Sequence, residues 1–171
     1  MDQTAAREAR ITGRSGTALR FRRRIAASPE RVFAAWTRPE ALKLWWCPDG
    51  WLPDEIAVDL RVGGSYRIVM RRESGDRQDA VGVYGRFLEI VAGARLVYTW
   101  RWDGAFPDMP ETRITVEFRA VDGATEIALV QDELPLSLCT RQLGGWLEAV
   151  GRMEQMLLSG GLLFAPAVPR V

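Results

Sequence analysis

The amino-acid sequence predicts an α+β fold: a curved antiparallel sheet of about six or seven strands, wrapped on one long C-terminal helix. Three features carry that prediction. Several runs alternate apolar and polar residues with the period of two that marks a half-buried strand. Short turns join these runs and leave no room for the crossover helices that parallel strands need. The last long segment carries an apolar stripe at helical spacing, so sheet and helix must bury their apolar faces against each other.

The elements follow in order. Arg20, Arg22 and Arg24 alternate with Leu19, Phe21, Arg23 and Ile25, which predicts a first strand with a basic outer face. Ser28 is placed to cap a helix whose first turn holds Pro29, and Val32, Phe33 and Trp36 share one face of it. Thr37-Arg38-Pro39 interrupts that helix, and a second short one fits Glu40 to Trp45. After a turn at Cys47-Pro48-Asp49-Gly50, Ile56, Val58, Leu60 and Val62 form an apolar face against Glu55, Asp59 and Arg61. Gly63-Gly64 turns the chain into Tyr66, Ile68 and Met70, and a long strand follows through Val81–Ile90. Gly82 and Gly85 mark a bulge or a point of curvature in it. Leu96, Tyr98, Trp100 and Trp102 form the next inward face, and a loop spans Gly104–Pro110. Ile114, Val116 and Phe118 lead to Asp122-Gly123, the strongest hairpin signal in the chain, and then to Ile127 and Leu129. Leu138 to Leu158 reads as one helix with Ser137 as its cap, Gly160-Gly161 past its end, and a stripe of Leu143, Trp146, Leu147, Val150 and Leu157.

Length and composition bound the function. The 171 residues are 47% hydrophobic and 26% charged, which suits one soluble domain at 18–160 between tails at 1–17 and 161–171. A formal charge of +1 advertises neither nucleic acid nor an anionic membrane. The excess of arginine before residue 31 reads as a solvated tail followed by an exposed strand face. There is no histidine, which removes the commonest general base and metal ligand. Cys47 and Cys139 share no metal-ligand spacing and read as reduced thiols of a cytoplasmic protein. No secretory leader and no membrane-spanning apolar run is recognisable.

Several landmarks point to a known family. Ser28 through Thr37, then Pro39-Glu40 and Trp45-Trp46 before a Cys-Pro turn, resemble the opening of the activator of heat-shock protein 90 ATPase homologue domains. Gly63-Gly64-Ser65-Tyr66-Arg67, Arg95 through Trp100, and Gly145-Trp146 resemble the later landmarks of the same family, in the same order. The resemblance implies the helix-grip fold of the START-like (SRPBCC) superfamily, shared with the birch pollen allergen and bacterial polyketide cyclases. A cavity then lies between the curved sheet and the last helix. The chain departs from the family in carrying Gln142 where a histidine often stands three residues before the Gly-Trp pair. The separate chaperone-binding domain of the eukaryotic co-chaperones has no counterpart in it.

Seven tryptophans are many for this length, and as a group they suggest a pocket, although any one of them could simply fill the core. The expected wall residues are Trp36, Trp45, Tyr66, Ile68, Met70, Phe87, Tyr98, Trp100, Phe118, Gln142, Trp146 and Met153. Gln142 would hydrogen-bond a ligand carbonyl and Arg141 would pair with a ligand carboxylate. Gly144-Gly145 costs a helix interior roughly 1 kcal/mol per glycine, an expense that suggests close approach of the helix to another element. Cys139 sits where a helix N-terminus lowers a thiol pKa, but with no histidine beside it. No carboxylate pair has acid–base spacing, Gly63-Gly64 is not a phosphate loop, and no catalytic residue, metal or cofactor is expected. The expectation is a small helix-grip protein binding an apolar or aromatic small molecule, with a homodimer allowed through the apolar tail. The alternatives are a cyclase- or aromatase-like enzyme in the same cavity, and a one-domain co-chaperone-like regulator of heat-shock protein 90.

Overall fold

The computed structural model describes residues 10–12, 18–103 and 109–160. The expected C-terminal tail and most of the Gly104–Pro110 loop lie outside the described residues. The strands are β1 (Arg10–Thr12), β2 (Ala18–Ile25), β3 (Trp51–Val58), β4 (Ser65–Arg72), β5 (Val81–Val91), β6 (Arg95–Asp103), β7 (Thr112–Val121) and β8 (Ala124–Asp132). The helices are α1 (Pro29–Thr37), α2 (Pro39–Trp45) and α3 (Leu136–Leu158).

All the strands join one antiparallel sheet in the order β1-β2-β8-β7-β6-β5-β4-β3. From β3 to β8 the chain is a simple meander, and β2 returns to pair with β8. The seven long strands match the expected sheet. The short β1 adds to its edge from within the segment read as a tail.

Local chemistry explains the boundaries. Ser28 Oγ accepts from the Arg31 N–H at 3.4 Å and Pro29 opens α1, as the capping pattern predicts. The β7–β8 turn places Asp122 at φ 47° and Gly123 at φ 75°, the two positive angles of a type I′ hairpin. At the start of α3 the expectation fails. The helix begins at Leu136 with Pro135 as its N-cap, so Ser137 lies inside the first turn and caps nothing. The face expected to run from Ile56 to Val62 also ends early. β3 stops at Val58, and Leu60 and Val62 are exposed in the turn that follows.

The core lies between the inner face of the sheet and the three helices. Leu96, Ile114, Val116, Ile127 and Leu129 are essentially inaccessible on the sheet side, and Val150 and Met153 are equally closed on α3. Polar clamps on the outside hold the helices in place. Arg152 on α3 donates to the carbonyls of Trp45 and Trp46 at 3.0 and 3.4 Å, satisfying the open end of α2. Arg31 on α1 donates to the Leu157 carbonyl at 3.3 Å, doing the same for α3. Arg23, the one arginine of β2 that turns toward the helix, binds Glu154 through Nε and Nη2 at 3.0 and 2.5 Å.

Candidate functional site

Strands β4, β5 and β6 and the amino-terminal half of α3 define the candidate site. Two kinds of space occur there. The inner one is a void of about 30 Å³, room for little more than a water molecule. It is lined by six expected wall residues: Trp36, Tyr66, Ile68, Phe87, Tyr98 and Trp100. Two hydrogen bonds fix three of these side chains. Trp36 Nε1 donates to Tyr98 Oη at 3.2 Å, and Tyr66 Oη donates to the Thr99 carbonyl at 2.7 Å. Burial raises both phenol pKa values, so each stays a neutral hydroxyl.

The larger space is a cavity of about 530 Å³ nearer the surface. Met70, Val81 and Trp102 form its sheet side, and Leu138, Gln142 and Gly145 form its helix side. Trp51, Pro48 and Met109 close the ends, while Arg72 and Arg141, both exposed, stand at its rim. Arg72 lies over the face of Trp51, with its guanidinium carbon 4.9 Å from the ring centroid. A narrower chamber of about 110 Å³ shares Met70, Trp102, Gln142 and Gly145 with this cavity, and Trp46, Trp100 and Trp146 line it more deeply. Glu148 and Arg152 also line that chamber, and Arg152 reaches the end of α2.

The tryptophans explain the division. Trp36 stacks on Trp146 at 5.8 Å, Trp146 meets Trp100 at 5.2 Å, and Trp100 meets Trp46 at 5.5 Å and Trp102 at 5.8 Å. The rings mostly fill space, leaving the small void on their inner side and the larger chambers at their outer end. Trp146 is fixed by a polar chain: its Nε1 donates to Gln131 Oε1 at 3.0 Å, and Gln131 Nε2 donates to Thr112 Oγ1 at 2.9 Å. Trp100 differs. Its Nε1 is buried and has no acceptor in the described protein.

Of the expected wall, Met70, Gln142, Trp146 and Trp100 border the larger chambers. Trp45, Phe118 and Met153 border none of these three spaces. Trp45 is fully buried and donates to the Ala35 carbonyl at 2.8 Å, because a helix repeat turns it inward and leaves Trp46 to face the void. Phe118 packs edge-on against Phe33 and Trp36, and Met153 is closed inside the core. Trp102 and Gly145 both carry signals in the sequence. Trp102 continues the alternation of Tyr98 and Trp100, and Gly145 is costly in a helix. The expected cause of that cost is wrong: a Cβ at Gly144 or Gly145 would meet nothing within 4 Å. What the missing side chain of Gly145 leaves is cavity.

Both thiols are held in their neutral, protonated form. Burial pushes Cys47 up to about 11 despite the opposing charge of Arg152, and burial also raises Cys139. The Cys139 thiol is buried and donates to the Pro135 carbonyl at 3.5 Å. Among the described residues no group of three or more His, Cys, Asp or Glu is placed to hold a metal ion, and no helix is long and apolar enough to cross a membrane.

No curated protein matches the chain. Solved structures do. Protein CV1439 of Chromobacterium violaceum is 29% identical with a TM-score of 0.72, over 81% of this chain and 95% of its own. A Rhodobacter sphaeroides protein is 29% identical with a TM-score of 0.74, over 88% and 98%. The AHSA1 protein of Silicibacter pomeroyi, at 24% identity and a TM-score of 0.72 over 84% and 99%, shares the fold. The sequence family described as Activator of Hsp90 ATPase homolog 1-like protein (AHSA1) matches residues 26–157, a span that takes in everything from α1 to the last turn of α3. The chain therefore belongs to the AHSA1 family.

Proposed function

We propose that this protein binds an apolar, aromatic small molecule between β4–β6 and the amino-terminal half of α3. The observation that carries this reading is the cavity of about 530 Å³ walled by Met70, Trp102, Leu138 and Gly145, which has the size and lining of a small-molecule site. The buried Trp100 Nε1 supports it, since a donor left without an acceptor costs about 1–3 kcal/mol and a ligand oxygen reaching the inner chamber would recover that. A ligand burying on the order of 300 Å² of apolar surface gains about 7 kcal/mol before the cost of immobilisation, so micromolar or weaker affinity is expected.

Gly145 supplies the test. A side chain there enters open space and removes a helix-weakening glycine, so Gly145→Phe should fill the cavity without unfolding the protein. The neutral fluorescent probe N-phenyl-1-naphthylamine is expected to bind the unaltered protein saturably and to bind Gly145→Phe at least about tenfold more weakly. The denaturation midpoint of the variant should be no lower than that of the parent. Equal binding by both proteins, or no saturable binding by the parent, would overturn the assignment.

A further inference from the structure

We infer that the inner void is the seat of a ligand carbonyl oxygen, which accepts from Tyr98 Oη and Trp100 Nε1. The ligand class that follows is a neutral aromatic ketone. The inference rests on the cavity reading above and adds the group that the ligand carries at its buried end.

The hydrogen bonds around the void do not balance. Trp36 Nε1 donates to Tyr98 Oη at 3.2 Å, so the phenol oxygen is the acceptor of that pair and its own proton still needs a partner. Among the described residues it has none, although Tyr98 is only 4% exposed. Tyr66, the other phenol at the void, is satisfied, because it donates to the Thr99 carbonyl at 2.7 Å. Trp100 repeats the deficit: its Nε1 is buried without an acceptor on a side chain that is 3% exposed. Tyr98 and Trp100 stand two residues apart on β6, so both project inward, and both border the same void. Two buried donors thus share one small space, and leaving both unanswered is unfavourable.

The chemistry of the deficit selects the group that answers it. Two donors call for an atom with two lone pairs and no proton of its own, which describes a carbonyl oxygen. A hydroxyl group or a water molecule would bring further protons against a wall made otherwise of Leu42, Val58, Ile68 and Phe87. A carboxylate would bury its charge where no charged side chain stands among the described wall residues. Size agrees with chemistry. A void of about 30 Å³ admits one oxygen and no ring, so the rings of the ligand stay in the adjoining chamber of about 110 Å³. Trp46 and Trp100 border both spaces and meet each other at 5.5 Å. Trp46 is the half-buried one, at the C-cap of α2, and it is the side chain that turns to let the carbonyl through.

2-Acetylnaphthalene and 2-isopropenylnaphthalene exchange C=O for C=CH2 at nearly constant shape, and so isolate the hydrogen bonds. Their affinities are read by displacement of N-phenyl-1-naphthylamine from the full chain. Tyr98→Phe and Trp100→Phe each remove one donor and keep an aromatic ring. Each is expected to lose about threefold to tenfold more affinity for the ketone than for the isopropenyl probe. In the unaltered protein, the infrared carbonyl stretch of bound 2-acetylnaphthalene is expected below its value in hexane, because donors on the oxygen weaken the C=O bond. That measurement needs no variant and decides the matter if a substitution prevents folding. A folded variant that loses affinity for both probes equally, a stretch equal to that in hexane, or a ketone that fails to displace the dye overturns the carbonyl assignment and leaves the cavity reading standing. If the dye itself is not bound, both readings fall together.

Discussion

Gln131 is the only fully buried amide side chain among the described residues, and it holds the candidate site together. It accepts from Trp146 on α3, donates to Thr112 on β7, and through the Thr112 hydroxyl reaches the Trp100 carbonyl on β6 at 3.4 Å. One side chain thus ties the helix to three neighbouring strands at the point where the tryptophan cluster meets the cavity. Replacing Trp146 with phenylalanine would leave Gln131 Oε1 buried without a donor. Trp146→Phe is expected to cost about 1–3 kcal/mol in denaturant unfolding beyond the packing it loses. Pairing it with Gln131→Met, which removes the stranded acceptor, should cost less than the two single changes summed. A Trp146→Phe protein within about 0.5 kcal/mol of the parent would show that the contact does not hold the helix. Residue 131 follows Ile127 and Leu129 on the same inward alternation, so its burial was legible. What it bonds to was not. A partner 15 residues later on a helix leaves no trace in local pattern.

At the scale of one element, β5 shows which parts of a strand pattern survive translation into structure. Gly85 and Gly82 marked curvature there, and Gly85 does carry it: a Cβ would stand 1.9 Å from the Thr99 carbonyl oxygen on β6. Between Tyr84↔Arg101 and Phe87↔Tyr98 the two strands approach too closely for any side chain at position 85. The register shift, however, falls between Phe87 and Glu89, where both Leu88 and Glu89 face outward and Leu88 is 48% exposed. Phe87 and Leu88 are adjacent and both apolar, so the alternation carries no mark of where the shift falls. The obstacle at Gly85 is backbone and cannot swing aside. Gly85→Ala is therefore expected to destabilise the protein by more than about 2 kcal/mol or to prevent folding. Gly82→Ala, whose Cβ would meet the Ile68 carbonyl oxygen and a Val69 methyl at 3.3 Å, should be clearly milder. Circular dichroism with urea titration of both variants checks the ranking; equal losses would mean that the approach at Gly85 relaxes freely.

For the whole molecule, the elements were legible because almost every one is announced by neighbours in sequence: hairpin turns, a proline-capped helix, and alternation over eight or nine residues. A cavity was expected, but its size and position were not legible, because they are a difference between two large quantities, the curvature of the sheet and the volume of the rings placed inside it. The dryness of that interior has a consequence that covers the entire fold. Burial raises the pKa of the Tyr66 and Tyr98 phenols and of the Cys47 and Cys139 thiols. All four groups are neutral when protonated, so the folded state holds their protons at pH values where the unfolded chain has released them. Above the ordinary thiol and phenol values of 9.0 and 10.0 the unfolded state binds fewer protons, and stability must fall as pH rises. For Cys47 the loss runs from about 9 to about 11, so Cys47→Ala should lessen the decline across that window. Urea midpoints measured between about pH 8 and 11 are expected to drop steadily from about pH 9 upward. In absorbance titration, the Tyr66 and Tyr98 phenolates should appear only together with unfolding, since neither hydroxyl can shed its proton inside the aromatic core. If both phenolates formed while the near-ultraviolet dichroism of the tryptophans remained native, water would have to reach the inner void. The separation between the closed aromatic core and the outer cavity would then be lost.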